Sequence, residues 1–404
     1  MEALAEQKIF CFEKMVLRLG IIIAAMTIFS QQNMSLNAYG NTDFLKGYIS
    51  VEDNNLFLMQ NKWIEEINKK YGNGNIKVID NGVIYVRMNK VINSRNIKIN
   101  VAEINRSINP KIEIIPQMAS DDLHSKSKLS NIAKHAQTLV AINGTYFKQD
   151  TGTPLGALVI NNEIITGPIY ERVGMGITEK GFVTSRISFE GKIKHNKQEI
   201  KIDNINQPRM LYSQVLIYTN KWGVKSPEMK SHCRQIAVKG NKIIAISDYP
   251  LIIPEGGVVI SAQKEKFSEF KLGDRINISY NLNPEWKDAK HIISGGPYLL
   301  KENKVYIDCS AEKLNGITGR NPRTAIGYTE DNTMIMVTVD GRKEGSSGVT
   351  LNELAQIMKS LGCVEAINLD GGSSTVMYVN GNILNGTNVQ GVRVSNALSV
   401  VINE

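Results

Sequence analysis

The 404-residue chain is 42% apolar and 21% charged, with 33 Gly and 11 Pro, which allows a large core in one or two domains and excludes a disordered, collagenous or coiled-coil protein. Lys and Arg number 47 against 39 Asp and Glu, a net charge of +8. These cations are spread through Lys- and Asn-rich stretches and form no block interleaved with aromatics, so nucleic acid is disfavoured and an anionic glycan or wall polymer suits the basic balance.

The apolar run Leu19 to Phe29 follows Lys14 and Arg18 and precedes the small residues around Ala38 and Gly40. Its length falls within the ~7–15 residues of a signal-peptide core and short of the ~20 that cross a bilayer. Residues 1–40 are therefore expected to be a signal peptide or an N-terminal anchor. The mature chain would be secreted or associated with the cell envelope, with no spanning segment. Residues 41–79 read as a lead-in whose helix carries Phe57, Leu58, Trp63, Ile64 and Ile67 and stops at Tyr71-Gly72.

From Gly82 the text becomes β-rich, with Val83 to Met88, Ile97 to Ile104 and Ile112 to Ile115 as the first runs. Leu129, Ile132, Ala133 and Ala136 give a helical stripe leading into a buried strand at Leu139 to Ile142. Four polar turns follow one hairpin grammar: Asn161-Asn162, Lys239-Gly240-Asn241, Glu302-Asn303 and Asn380-Gly381. Residues 186–290 hold β-runs with no clear helix and read as a β-rich insertion within a main domain of residues 80–404. Thr350 with Glu353 forms a capping box ahead of the stripe Leu351, Leu354, Ala355, Met358 and Leu361, and Gly362 supplies the stop. The expected fold class is α+β, a mostly antiparallel or mixed sheet core with a few packed helices. Cys11 lies in the leader. Cys233, Cys309 and Cys363 are an odd set without C-x-x-C spacing, so buried free thiols are expected, Cys233 with Cys309 being the one pairing considered.

Four apolar runs end on residues suited to chemistry. Asn143 to Phe147 follows the first, Gly295-Gly296-Pro297 the second, Asp340-Gly341-Arg342 the third and Asp370-Gly371-Gly372-Ser373-Ser374 the fourth. Glycine doublets admit a ligand to the backbone, and an acid at a strand end is held rigidly at a cleft. Taken singly, each segment also reads as a turn. Arg320-Asn321-Pro322-Arg323-Thr324 precedes an apolar strand, and Arg342 with Ser346-Ser347-Gly348 precedes the capped helix at Thr350, a set suited to a phosphate or another oxyanion, or else to ion pairs of Arg323 and Arg342 with Asp340 and Asp370.

In order, AINGTYF (141–147), PLGALVINNEII (154–165), SGGPYLL (294–300), NPRTAIGY (321–328), VDGR (339–342), SSGVTLNELAQIMKSLG (346–362), AINLDGGSSTVM (366–377) and VRVSNAL (392–398) resemble the phosphodiester glycosidase family, whose bacterial members include exported proteins linked to exopolysaccharide. Thr145 stands where a second glycine is expected. The resemblance implies cleavage of the sugar C1–O bond of a sugar-1-phosphodiester. It makes Asp370, Asp340 and Asn143 the catalytic candidates. Arg323, Arg342, Thr324, Gly295, Gly296, Gly371, Gly372, Ser373, Ser374 and Tyr146 become candidates for binding substrate and phosphate. A phosphomonoester leaving group, with a second pKa of about 6, needs charge neutralisation more than a strong acid. None of the five histidines falls in these motifs. No cofactor is required, although Asp340 and Asp370 could hold a divalent cation such as calcium with Asn143. Two other functions use the same inventory: a non-catalytic polysaccharide-binding or exopolysaccharide accessory protein, and a phosphodiesterase that breaks the P–O bond.

Overall fold

The computed structural model describes residues 51–72, 76–134, 137–208, 213–386 and 391–403. The leader, residues 1–40, and Ala136 of the expected helical stripe lie outside them. The chain divides into Met1–Phe57 and Leu58–Glu404. The first contributes the opening turns of helix α1 (Val51–Tyr71), and the second holds everything described below. Helices α2 (Leu129–Lys134) and α3 (Leu351–Ser360) follow. Strands dominate, and no helix among the described residues is long and apolar enough to cross a membrane.

The main sheet has eight antiparallel strands. Their spatial order is Ile76–Asp80, Val83–Ile92, Arg95–Ile104, Met334–Val339, Arg323–Thr329, Cys363–Asn368, Tyr298–Lys301 and Lys304–Val305. Both faces of its central strands are buried, and the period-two alternation divides side chains between them. Met334 and Met336 enter one apolar cluster with Ile326, Ile367 and Leu369. Ile335, Val337 and Val339 enter another with Trp63, Ile67, Leu354 and Met358. Each large side chain so buried contributes about 1.5–3 kcal/mol. The expected capping box is present: the Glu353 amide donates to Thr350 Oγ1 at 3.3 Å, and the Thr350 amide donates to Glu353 Oε2 at 2.9 Å.

A five-stranded sheet beside it runs Asn382–Ile383, Met377–Val379, Val140–Asn143, Asn396–Ile402 and Ile112–Met118. Another contains His291–Ser294 between Val173–Thr178 and Leu158–Ile160. Residues 189–282 build two more sheets around an apolar cluster of Ile193, Ile217, Ile236, Ile260 and Phe267. All four polar turns close antiparallel hairpins. Each carries positive φ, as at Asn161 (50°) and Asn162 (63°), the left-handed region that Asn and Gly tolerate. Cys233, Cys309 and Cys363 are buried free thiols, and none pairs.

Register places the sequence motifs at one end of the main sheet. Arg323 pairs with Val339, Ala325 with Asn368, and Tyr298 with Ile367. The segments that leave those strands at Gly295, Asp340 and Asp370 therefore emerge together.

Candidate active site

The Asp370 loop is bolted to its neighbours through the backbone. The Leu369 amide donates to the Thr324 carbonyl at 2.9 Å, that of Asp370 to Gly144 at 3.2 Å, and that of Gly372 to Pro322 at 2.9 Å. Solvent reaches part of Asp370, while the loop, Tyr146 and the neighbouring strands surround the carboxyl. Burial pushes this carboxyl up to about 6, against the hydrogen bonds from Ser374 and the Gly371 amide, which favour the ionised form. Gly371 N–H meets Asp370 Oδ1 at 2.9 Å. A Cβ at Gly372, where φ is +62°, would lie 3.4 Å from Arg342 Nη2, so this glycine both turns the loop and admits the guanidinium.

Asn143 is expected to be catalytic, but the structure gives its amide a different part. Its Oδ1 accepts from Thr324 Oγ1 at 2.7 Å and from the Val376 amide at 3.1 Å, and its Nδ2 donates to the Asp370 carbonyl at 2.7 Å. Asn143 and Thr324 are buried. Asn143 thereby holds the acid loop, and Thr324 holds Asn143.

The two arginines also part company. Arg323 is 2% exposed and faces inward, donating through Nε to the Val349 carbonyl and through Nη2 to those of Ile317 and Gly319. Its guanidinium fastens the 315–319 turn to the sheet in place of an ion pair with Asp340 or Asp370. Arg342 is exposed, with a left-handed φ of 56°, and donates through Nη2 to Asn321 Oδ1 at 2.5 Å. Arg323→Lys should therefore lower unfolding stability by about 2–3 kcal/mol because carbonyls lose donors, whereas Arg342→Lys should leave the urea midpoint unchanged. Equal midpoints for the two variants would show that the carbonyl bonds carry no stability.

Asp340 is 3% exposed, and its Oδ2 lies 2.8 Å from Lys343 Nζ. That ammonium is not aligned for a hydrogen bond, and both Asp340 oxygens are otherwise without partners among the described residues. The two acids thus have separate surroundings, Asp340 beside Lys343 and Asp370 within its own loop. The donor set does not fit a shared hard cation. Lys343 supplies the positive charge at Asp340, Asn143 Oδ1 is already committed, and no three His, Cys, Asp or Glu side chains gather among the described residues.

The remaining candidates surround Tyr146. Its hydroxyl donates to the Gly296 carbonyl at 2.8 Å and accepts from Asn368 Nδ2 at 2.9 Å. Burial, and then the nearby Asp370 charge, raise the phenol above its ordinary range. Gly295 packs so closely that a Cβ would collide with the Asn368 carbonyl. Ser373 is exposed and Ser374 buried.

Three further residues join them. Asn368 donates to Tyr146, Gly296 and Leu369 and leaves Oδ1 unpartnered among the described residues. Arg172 sits 5.2 Å from the Tyr146 ring centroid and donates through Nε to the Glu312 carbonyl at 3.0 Å. Glu312, fully buried, accepts from the Val173 and Tyr298 amides, and burial raises its carboxyl. Asn368 had a sequence signal as an amide ending an apolar run. Arg172 and Glu312 had none, because only the tertiary pairing brings their segments to Tyr146.

A half-buried acid of raised pKa on a glycine-rich strand-end loop, near a tyrosine and guanidinium groups, is suited to acid, base or nucleophilic chemistry on a polar substrate. Residues 232–401 match the model of the phosphodiester glycosidase family. Asn143, Tyr146 and Arg172 lie ahead of the matched stretch.

Over 99 residues the chain is 34% identical to the SPbeta prophage-derived uncharacterized protein YomE of Bacillus subtilis (strain 168), covering 24% of this chain and 15% of that protein. Over 103 residues it is 30% identical to N-acetylglucosamine-1-phosphodiester alpha-N-acetylglucosaminidase of Bos taurus, covering 23% of this chain and 19% of the bovine protein. The matches thus span less than a fifth of either relative. A hypothetical protein from Synechocystis shares the fold, with a TM-score of 0.75 at 24% identity over 82% of this chain and 64% of that one.

Proposed function

We propose that this protein is an exported hydrolase that cleaves the sugar C1–O bond of a sugar-1-phosphodiester in a glycan or wall polymer, releasing the sugar and a phosphomonoester. The observation that carries this reading is the Asp370 carboxyl, raised to about 6 on a loop fixed through Asn143 and Gly144. An acid so held can stabilise a sugar cation or activate water near neutral pH. Arg342, exposed over Gly372, is placed to neutralise the phosphate. Three described histidines serve elsewhere, His124 against Thr153, His195 against Asp274 and His291 against Glu113.

The deciding experiment incubates the native protein, recovered from medium or envelope and sequenced from its N-terminus, with a panel of sugar-1-phosphodiesters in oxygen-18 water. Label in the released sugar is expected, with a start near Asn41. Label in the phosphate would make the protein a phosphodiesterase instead, and retention of polymer without any release would make it a binding protein.

A further inference from the structure

A concavity of about 710 Å³ lies between helix α3 and the tip of the Val83–Ile104 hairpin, lined among others by Lys90, Asn93, Arg320, Asn352, Glu353 and Gln356. It is separate from Asp370, and Arg342, Asn321 and Arg320 form a bonded run from the acid loop to its wall. Starting at the acid loop, Arg342 lies beside Gly372 and bonds to Asn321. The adjoining Arg320 reaches the Gly348 carbonyl at 2.6 Å and Glu353 Oε1 at 2.5 Å. Asn93 Nδ2 closes the far wall on the same Glu353 oxygen at 2.8 Å. The hairpin tip is tied to the same surface, with the Lys98 amide donating to Ser346 Oγ at 3.0 Å and the Ser347 amide to the Asn96 carbonyl at 3.2 Å.

Charge along this track is one-sided. Lys90, Arg95, Lys98 and Arg342 have no ion-pair partner among the described residues, and Lys98 Nζ leans over the loop at Gly345. The acids here are Glu344, exposed in the loop, Glu353, already paired with Arg320, and Asp340, buried beside Lys343. What remains is a cationic strip ending in a groove where the amides of Asn93, Asn352 and Gln356 stand beside the apolar Ile92 and Ile357. That is the chemistry for a chain of phosphate charges separated by hydroxyl-bearing units.

We propose that this groove is an extension subsite that holds an anionic, phosphodiester-linked glycan or polyol polymer several repeats away from the bond presented at Asp370. The direction in which such a chain leaves the cleft rests on the reading of Asp370 as the reacting end, but binding in the groove does not require turnover.

The test uses the full chain and poly(glycerol phosphate) oligomers of increasing length, a probe with no sugar C1–O bond, in titrations at low and high salt. Affinity should rise about tenfold from a single repeat to a chain long enough to span cleft and groove, and the gain should shrink with salt. Lys90→Glu, which reverses the free charge, and Asn352→Trp, which fills the groove from an exposed helix position, should each abolish the gain while retaining the parental melting temperature. Loss of the gain in Asn352→Trp alone also supports the subsite, with shape outweighing charge. A gain that survives both substitutions, or no gain in the parent chain, overturns it. An inactive result in the sugar-release panel leaves these outcomes unchanged.

Discussion

Asp370→Asn should lose turnover of a sugar-1-phosphodiester by about 100-fold or more and, at pH 8, melt at a higher temperature than the parent chain. Both effects come from one environment. Burial moves the carboxyl from 3.8 to about 6, so the folded protein holds this proton more tightly than the unfolded chain does. The stabilisation from the neutral acid is full below pH 3.8 and fades as pH rises through about 6. Above that, the folded state carries a charge its surroundings disfavour. The shift corresponds to about 1–3 kcal/mol once partial solvent access is allowed for. Asparagine stays neutral throughout, so the two proteins should melt alike near pH 3 and diverge toward pH 8. Thermal melts across that range, with kcat beside them, check both halves. Identical melting at every pH would mean a well-solvated carboxyl, and an active variant would remove Asp370 from the chemistry. In the parent chain, kcat/KM should rise through about pH 6 if ionised Asp370 is the nucleophile or base, and fall if the protonated form is the acid.

Local signals in the sequence were strong where the physics is local. The capping box of α3 needs only Thr350 and Glu353 three residues apart, and the hairpin turns need only residues that tolerate positive φ, so both could be read without knowing the fold. The Asp370 loop could be read for the same reason, since an acid followed by two glycines at the end of an apolar run describes its own geometry. Arg323 and Arg342 looked alike because both lie beside such runs. What separates them is non-local: Arg323 shares a face with Ala325, which packs toward α3, and meets the carbonyls of a turn whose path depends on the whole sheet. Arg172 and Glu312 were invisible for a related reason. Each bonds across more than a hundred residues of chain, and composition around Tyr170 or Ala311 carries no trace of those partners. Asn143 carried an ambiguous signal, turn former or catalyst, and its hydrogen bonds assign it to the support of the loop.

That assignment gives the largest expected loss of stability, from Asn143→Ala. The substitution leaves the Val376 amide, the Thr324 hydroxyl and the Asp370 carbonyl without their partner in a site where Asn143 is 1% exposed. Buried groups orphaned together cost about 3–5 kcal/mol, enough to shift a urea midpoint well outside error. Activity per folded molecule should also fall, by about 10–100-fold in kcat with KM little changed, because the bond to the Asp370 carbonyl fixes where the acid sits and does not bind substrate. Thr324→Val separates the two consequences. It removes the hydroxyl that meets Asn143 Oδ1 but leaves the Nδ2 bond to Asp370 in place, so it should cost about 1 kcal/mol and little activity. If Thr324→Val proves as slow as Asn143→Ala, Thr324 acts on the substrate or the whole cluster moves as one. If Asn143→Ala keeps full kcat once folded, the acid is held by the Gly144 and Thr324 backbone bonds alone.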